Sequence, residues 1–314
     1  TKTGDLFIKD LSTGIEKQIT NLSSNYPDGC ILNPQFTTDG KKILFTYVSD
    51  GTNFSAYLTD VNSTITDPSQ GKINLGNVNV KYAAISPDSD GKTTGYLAYT
   101  IEKLDRSELW VYNYSTKTSS QILSQTGLKI KHLVFIDSTT IAYIGTSNSI
   151  QDIYTINVSG GTLTKITNNT SPSPKYGRLM VSSRNPLLSP YILLYSKSTY
   201  ISYGNYTKFD VFALQGNVEY NLTNTPDIDE YDPAFFGDIT TTPPPATSGQ
   251  MLYSANLLGS VDIWQANYNI AGDTNTSKTQ RTIDSGEEGL VNWAPLVVIT
   301  PPEDYSNITI EQTR

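Results

Sequence analysis

One recurring pattern limits the fold of this chain more than any other feature. A short segment with an aliphatic residue or alanine followed by an aromatic appears six times: "GDLFIKD" (4–10), "FSAYLTD" (54–60), "SELWVYN" (107–113), "QDIYTIN" (151–157), "FDVFALQ" (209–215) and "VDIWQAN" (261–267). The aromatics Phe7, Tyr57, Trp110, Tyr154, Phe212 and Trp264 lie 44–58 residues apart. Counting from Trp264 through the chain end and back to Phe7 gives 57, inside the same range. Most copies place Asp or Glu just before the aliphatic–aromatic pair.

Hairpin signals precede these segments. "PQFTTDGKKILFTY" (34–47) turns at Asp39-Gly40 and then alternates apolar and polar residues, a strong short-range signal for a β-hairpin. "AAISPDSDGKTTGYLAYT" (83–100) and "HLVFIDSTTIAYIG" (132–145) repeat the scheme. Longer turns replace it in "RLMVSSRNPLLSPYILLYS" (178–196) and "PAFFGDITTTPPPATSGQMLYS" (233–254). A short fourth strand follows each aromatic segment: "KQITN" (17–21), "KINLG" (72–76), "SQILS" (120–124), "TKITN" (164–168), "YNLTN" (220–224) and "QRTID" (280–284). Four strands per unit at this period predict an all-β fold, a β-propeller with six four-stranded antiparallel blades. One such sheet cannot cover both of its faces, whereas radial stacking covers each sheet with its neighbours.

The expected blades of this single domain, 1–314, are 30–76, 78–124, 129–168, 175–224, 230–284, and 288–312 completed by 3–21. The segment Asp5–Asp10 has no hairpin before it, so its inner strands must come from the C-terminal segment. Either "LVVIT" (296–300) or "NITIEQ" (307–312) could supply the second strand. Spacing favours 307–312, with Pro301-Pro302-Glu303-Asp304 in the turn, and this pairing of the two ends would close the ring.

At these residues the chain resembles the TolB-like propeller family. Phe36, Asp39, Gly40, Lys41, Ile43 and Phe45 match the first half of that family's repeat. Asp152-Ile153-Tyr154 with Ile166-Thr167-Asn168, Asp262-Ile263-Trp264, and Leu222-Thr223-Asn224 match the second half. The hairpins around 183–190 and 238–249 depart from it. The resemblance implies an exported, periplasmic or cell-surface protein that binds other proteins. Related pectin-degrading lyases use several histidine ligands for a metal, and this chain has one histidine.

Composition narrows the functional classes. The net charge is −8, and phosphate backbones require a basic surface, so nucleic acid is not an expected partner. No apolar run reaches the length of a membrane span, so no transmembrane segment is expected. No basic and apolar leader precedes Thr1, which is the expectation for a chain whose signal peptide has been removed. Cys30 is the single cysteine, so an internal disulfide is impossible. His132, the single histidine, begins an inner strand in this reading and reads as a satisfied strand-end residue. No G-x-S-x-G motif accompanies it.

These features predict a non-enzymatic binding or scaffold protein decorating a larger assembly, with no cofactor. The alternative is a glycan- or peptide-acting enzyme, or a ligand-binding propeller, using the central pocket. An enzyme would gather acids, a nucleophile or a metal on the axis, and a scaffold would show an exposed aromatic patch. The segment "KSTYISYGNYTKFD" (197–210) is the best candidate for such a patch, through Tyr200, Tyr203 and Tyr206. The loops between blades would gather Asp28, Asp227, Asp229, Glu230, Asp232, Glu287 and Glu288 on one rim, which reads first as a solvated loop face and alternatively as a docking patch for a basic partner or a hard-cation site, with Asp227, Glu230 and Asp232 as the candidate partner-binding residues. "PDSDGK" (87–92) has the outline of a calcium loop but reads first as a hairpin turn. Asn-x-Ser/Thr sequons are frequent, and Asn53, Asn62, Asn205 and Asn275 are candidate glycosylation acceptors in an exported protein.

Overall fold

A computed structural model describes residues 5–10, 13–26, 29–49, 52–76, 78–181, 191–202, 205–236, 248–255, 261–269, 278–281, 288–294 and 308–313. At 288–294 and 308–313, and at strand ends 181, 236, 248 and 269, it describes the backbone alone. The described residues form strands and turns, with no helix among them.

Five sheets have four antiparallel strands. They are Val80–Ile85, Tyr96–Glu102, Ser107–Asn113 and Thr118–Ser124; then Leu128–Phe135, Thr140–Ser147, Ile150–Asn157 and Thr164–Lys165; then Lys175–Val181, Ile192–Ser198, Asp210–Gln215 and Val218–Asn221. The fourth is Glu230–Phe236, Ser248–Ala255, Asp262–Asn269 and Lys278–Gln280. The fifth joins both ends of the chain, in the order Glu288–Ala294, Ile308–Thr313, Leu6–Asp10 and Glu16–Gln18. The strand expected at 307–312 is found at Ile308–Thr313, with Ile8 opposite Ile310. Pro301–Asp304 lie outside the described residues.

The expectation of six four-stranded blades needs correction: five are present. The sheet Cys30–Phe36, Lys42–Val48 and Ser55–Asp60 has three strands. Its expected fourth strand, 72–76, makes one bridge, Tyr57 to Lys72. The cause lies in the chain after Asp60. That segment first crosses to the neighbouring sheet, where Ile65 N donates to Ile19 O at 2.8 Å and Asn21 N donates to Ile65 O at 2.8 Å. It returns at Gly71, whose φ of +71° suits glycine. It then turns away at once, with Leu75 N donating to Ile73 O.

The repeated aromatics are explained by cross-strand pairs. Phe45 faces Tyr57, Tyr99 faces Trp110, Tyr143 faces Tyr154, Tyr195 faces Phe212 and Tyr253 faces Trp264. Phe45–Tyr57, Tyr143–Tyr154 and Tyr195–Phe212 stack with centroids 5.3, 5.6 and 6.1 Å apart. Such pairs stabilise a sheet beyond the area they bury. The end-joining blade departs from the pattern, with Phe7 facing Glu311.

The repeated acid has a different job. Asp152 Oδ1 accepts from Thr167 Oγ1 and from Asn169 N, each at 2.9 Å, while Thr167 Oγ1 accepts from Ile153 N at 2.9 Å. Asp5 with Thr20, and Asp210 with Thr223, repeat the arrangement. Each pair ties the start of a third strand to the exit of the fourth. This gives the Asp-aliphatic-aromatic and Leu-Thr-Asn signatures one physical meaning.

The core lies between sheets. Each apolar cluster joins two consecutive sheets, as where Leu109 and Val111 pack with Ile141 and Tyr143. First strands meet first strands: Cys30–Phe36 packs on Val80–Ile85, and contact passes in turn to Leu128–Phe135, Lys175–Val181, Glu230–Phe236 and Glu288–Ala294. These strands therefore surround the centre of the molecule.

Candidate functional site

All six first strands carry a β-bulge at the same point. Register shifts fall between Leu32 and Gln35, Val80 and Ala83, Lys131 and Val134, Tyr176 and Leu179, Tyr231 and Ala234, and Gly289 and Asn292. A bulge leaves residues outside the ladder and re-aims their side chains. Asn33, His132 and Asp232, on alternate sheets, take φ values of 54°, 54° and 49°. Asn, Asp and His enter this left-handed region more readily than other non-glycine residues.

Four of the bulges border a cavity of about 20 Å³, lined by Asn33, Gln35, Tyr82, His132, Arg178 and Met180 among others. That space holds one water or a group of similar size. Arg178 is buried, and its Nη2 donates to Pro34 O at 2.6 Å. Burial pulls the guanidinium pKa down, and the carboxylate of Asp232 acts against that shift. Lys131 Nζ donates to Tyr176 O at 2.7 Å, and burial lowers its pKa. Burial raises Tyr82 to about 12, helped by Glu102.

His132 corrects the sequence reading. It sits inside the strand Leu128–Phe135 rather than at its end. Its buried Nδ1 has no hydrogen-bond partner. Its ring lies 5.3 Å from that of Tyr82. Burial, with Lys131, Arg178 and Lys81 around it, holds the pKa at about 3, so the imidazole is neutral at pH 7. Part of its surface remains open because it lines the cavity. The bulge register that gathers these groups cannot be seen in a one-dimensional sequence.

The tyrosine segment forms a second candidate. Tyr200–Ser202 and Asn205–Tyr206 make a small hairpin inserted between the second and third strands of one blade. Tyr200 and Tyr206 meet edge to face with centroids 5.4 Å apart. Lys175 Nζ stands 3.9 Å from the Tyr206 centroid, a cation–π geometry. The hairpin base is tied by Thr207 N to Thr199 O and by Thr199 N to Thr207 Oγ1, each at 2.8 Å. Ile201, at 61% exposure, points outward. Tyr203 lies outside the described residues.

Among the described residues, the acids expected on the rim do not share one exposed surface. Asp227 is exposed. Asp229 accepts from Lys208 Nζ and Phe209 N, each at 2.9 Å. Glu230 is fully buried, 3.4 Å from Lys278, and burial raises its pKa. Asp232 sits in its bulge beside Arg178. Asp28 and Glu287 lie outside the described residues, as does Asn275. In the 87–92 loop, Asp90 Oδ1 accepts from Lys92, Thr93 and Thr94 amides. Hydrogen bonds from the Thr93 hydroxyl and these amides hold Asp90 well below the usual carboxylate range. No group of three or more His, Cys, Asp or Glu that could hold a metal occurs among the described residues.

No protein-family model and no curated protein matches the chain. Solved structures do. A TolB protein of Agrobacterium tumefaciens superposes with a TM-score of 0.57 at 13% identity, over 90% of this chain and 89% of that one. TolB from Acinetobacter baumannii gives 0.53 at 15%, over 100% of this chain and 64% of that one. An oligogalacturonate lyase in complex with manganese gives 0.52 at 14%, over 91% of this chain and 74% of that one. At such identities the likeness is one of fold: the chain has the β-propeller architecture that these TolB structures share. The lyase overturns the expectation that the chain is not an enzyme, because the same architecture carries catalysis.

Proposed function

We propose that the chain is a protein-binding β-propeller that presents the 200–206 hairpin to its partner. The observation that carries this reading is the hairpin itself. It is an addition to the blade, built on its own hydrogen bonds, with two half-buried tyrosines below an exposed Ile201. Tyrosine supplies large amphipathic contact area at small entropic cost. In this reading residues 1–314 are one domain with the three-stranded sheet as sixth blade. Packing of Glu288–Ala294 against Cys30–Phe36 supports closure of the ring. The protein would act after export. The sequon residues Asn53, Asn62 and Asn205 are exposed and would be the glycan acceptors after export.

A photo-crosslinking residue at 201, compared with one at the exposed position Leu104, tests the reading in the native host. The expected result is one protein crosslinked from 201, absent from 104, and lost when Tyr200 and Tyr206 are changed to Ser in a protein that still melts cooperatively. Equal crosslinking from both positions contradicts it. A second reading, ligand binding or chemistry on the axis, is favoured by the unpartnered Nδ1 of His132.

A further inference from the structure

We propose that the cleft between the three-stranded sheet and the next sheet binds the phosphate or sulfate group of a small ester, held by Lys42, Lys72, Lys92 and Lys117. The inference is independent of the hairpin and of the axis. The cleft exists because the fourth strand is cut short. Leu58 N donates to Gly71 O and Ile73 N to Ala56 O, each at 2.9 Å, and the chain then turns away. Beside this short return lies a cleft of about 360 Å³. Leu58, Thr59 and Asp60 line it from one sheet, and Tyr112, Tyr114 and Lys117 from the other.

Backbone carbonyls place two of the cations. Lys42 Nζ donates to Asp90 O at 2.8 Å, and Lys117 Nζ donates to Lys92 O. These carbonyls stand on either side of Gly91. That turn is itself pinned, since Gly91 has a φ of +64° and a Cβ there would fall 2.3 Å from Leu58 Cδ2. An ammonium has three N–H donors, so each lysine keeps donors for a ligand. Lys72 and Lys92 also line the cleft. Both are exposed, and neither side chain makes a hydrogen bond or ion pair among the described residues. Asp60 is the one acid among the described lining residues. Its Oδ1 accepts from Asn62 N at 2.8 Å, and the nearby Asp90 Oδ1 accepts from the amides of its own turn. Even with Asp90 counted, the cations outnumber the carboxylates by two, in a protein whose total charge is −8. A cleft lined by one sign of charge focuses its field on an ion of the other. Tyr114 adds a second observation. It is 4% exposed, it lines the cleft, and its hydroxyl has no partner, which native proteins rarely tolerate.

The donor set identifies the anion. The described lining holds four lysines and no arginine. An arginine fork suits a planar carboxylate, whereas lysines are point charges that can surround a tetrahedral oxyanion from several sides. The volume admits that group together with a ring or short chain. Half-buried Leu58, Ile73 and Tyr112 offer the body of the ligand an apolar wall.

Phenyl phosphate and phenyl sulfate serve as probes, each titrated against sodium chloride at matched ionic strength and followed by backbone amide NMR. The expected result is a saturable response with shifts grouped at Lys72–Ile73 and Gly91–Lys92. Changing Lys72→Gln and Lys92→Gln together should weaken binding about tenfold with unchanged melting, because neither side chain has a partner to lose. Lys103→Gln, at an exposed lysine outside the cleft, should leave binding unchanged. Binding of one probe alone identifies that ester as the ligand class, and equal binding of both identifies a site for either oxyanion. No saturable response to either probe, shifts that lie outside the cleft, or equal losses in the Lys103 variant and the double variant overturn the proposal.

Discussion

Arg178 Nη2 donates to the carbonyl oxygen of Pro34 at 2.6 Å, across 144 residues of sequence. Both residues lie in first-strand bulges, and the sheets that carry them are separated by two others. One side chain thus bolts distant parts of the central wall together. Arg178→Met should remove this bond and leave Asp232 facing an apolar group, costing about 2–4 kcal/mol by urea denaturation. It should also raise the pKa of His132, because Arg178 is one of the cations that hold it down. An unchanged histidine titration would contradict the assigned geometry.

The neutral histidine has a consequence for acid stability. Folded His132 titrates at about 3, against 6.5 when unperturbed. Between those values the unfolded chain binds the extra proton, so stability falls as pH drops from 6.5 toward 3. The slope is up to about 1.4 kcal/mol per pH unit. His132→Asn keeps a residue suited to the backbone, since Asn33 has the same φ in its own bulge. The variant should lose stability less steeply below pH 6. Identical slopes in denaturant melts across pH would show that His132 is not a buried neutral group.

The Asp–Thr ties predict a graded series. Thr167→Val removes an acceptor for Ile153 N and a donor to Asp152, both at 2.9 Å. The expected loss is about 1–3 kcal/mol. Thr223→Val breaks a 2.9 Å bond from Val211 N and a 3.4 Å contact to Asp210, and it also removes the hydroxyl that hydrogen-bonds the buried carboxyl of Glu230, so its loss should be the larger of the two. Thermal melts of the two variants decide the order.

The strand framework was legible because its signals are local. Asp39-Gly40 marks a turn, and Tyr57, Tyr154 and Phe212 recur because each faces an aromatic on the next strand. The pairing of Leu6–Asp10 with Ile308–Thr313 followed from strand spacing. The missing fourth strand at 72–76 was not legible, because its loss depends on Ile65 crossing to another sheet. Glu230 read as a loop acid, yet it is fully buried at the head of an inner strand. The axial group was hidden for a similar reason. Asn33, Tyr82, His132 and Arg178 share no motif, and only the register of four separate bulges brings them together.

The central claim is that the two ends of the chain complete one blade between them. Leu6–Asp10 pairs with Glu16–Gln18 on one side and with Ile308–Thr313 on the other. Removing residues 305–314 would strip one partner and expose a strand edge. Urea unfolding of the intact and shortened proteins, followed by hydrogen exchange at the 6–10 amides, measures the effect. The account predicts one cooperative transition at a lower midpoint and fast exchange at 6–10 in the shortened protein. A shortened protein that unfolds at the intact midpoint, with 6–10 still protected, would contradict it.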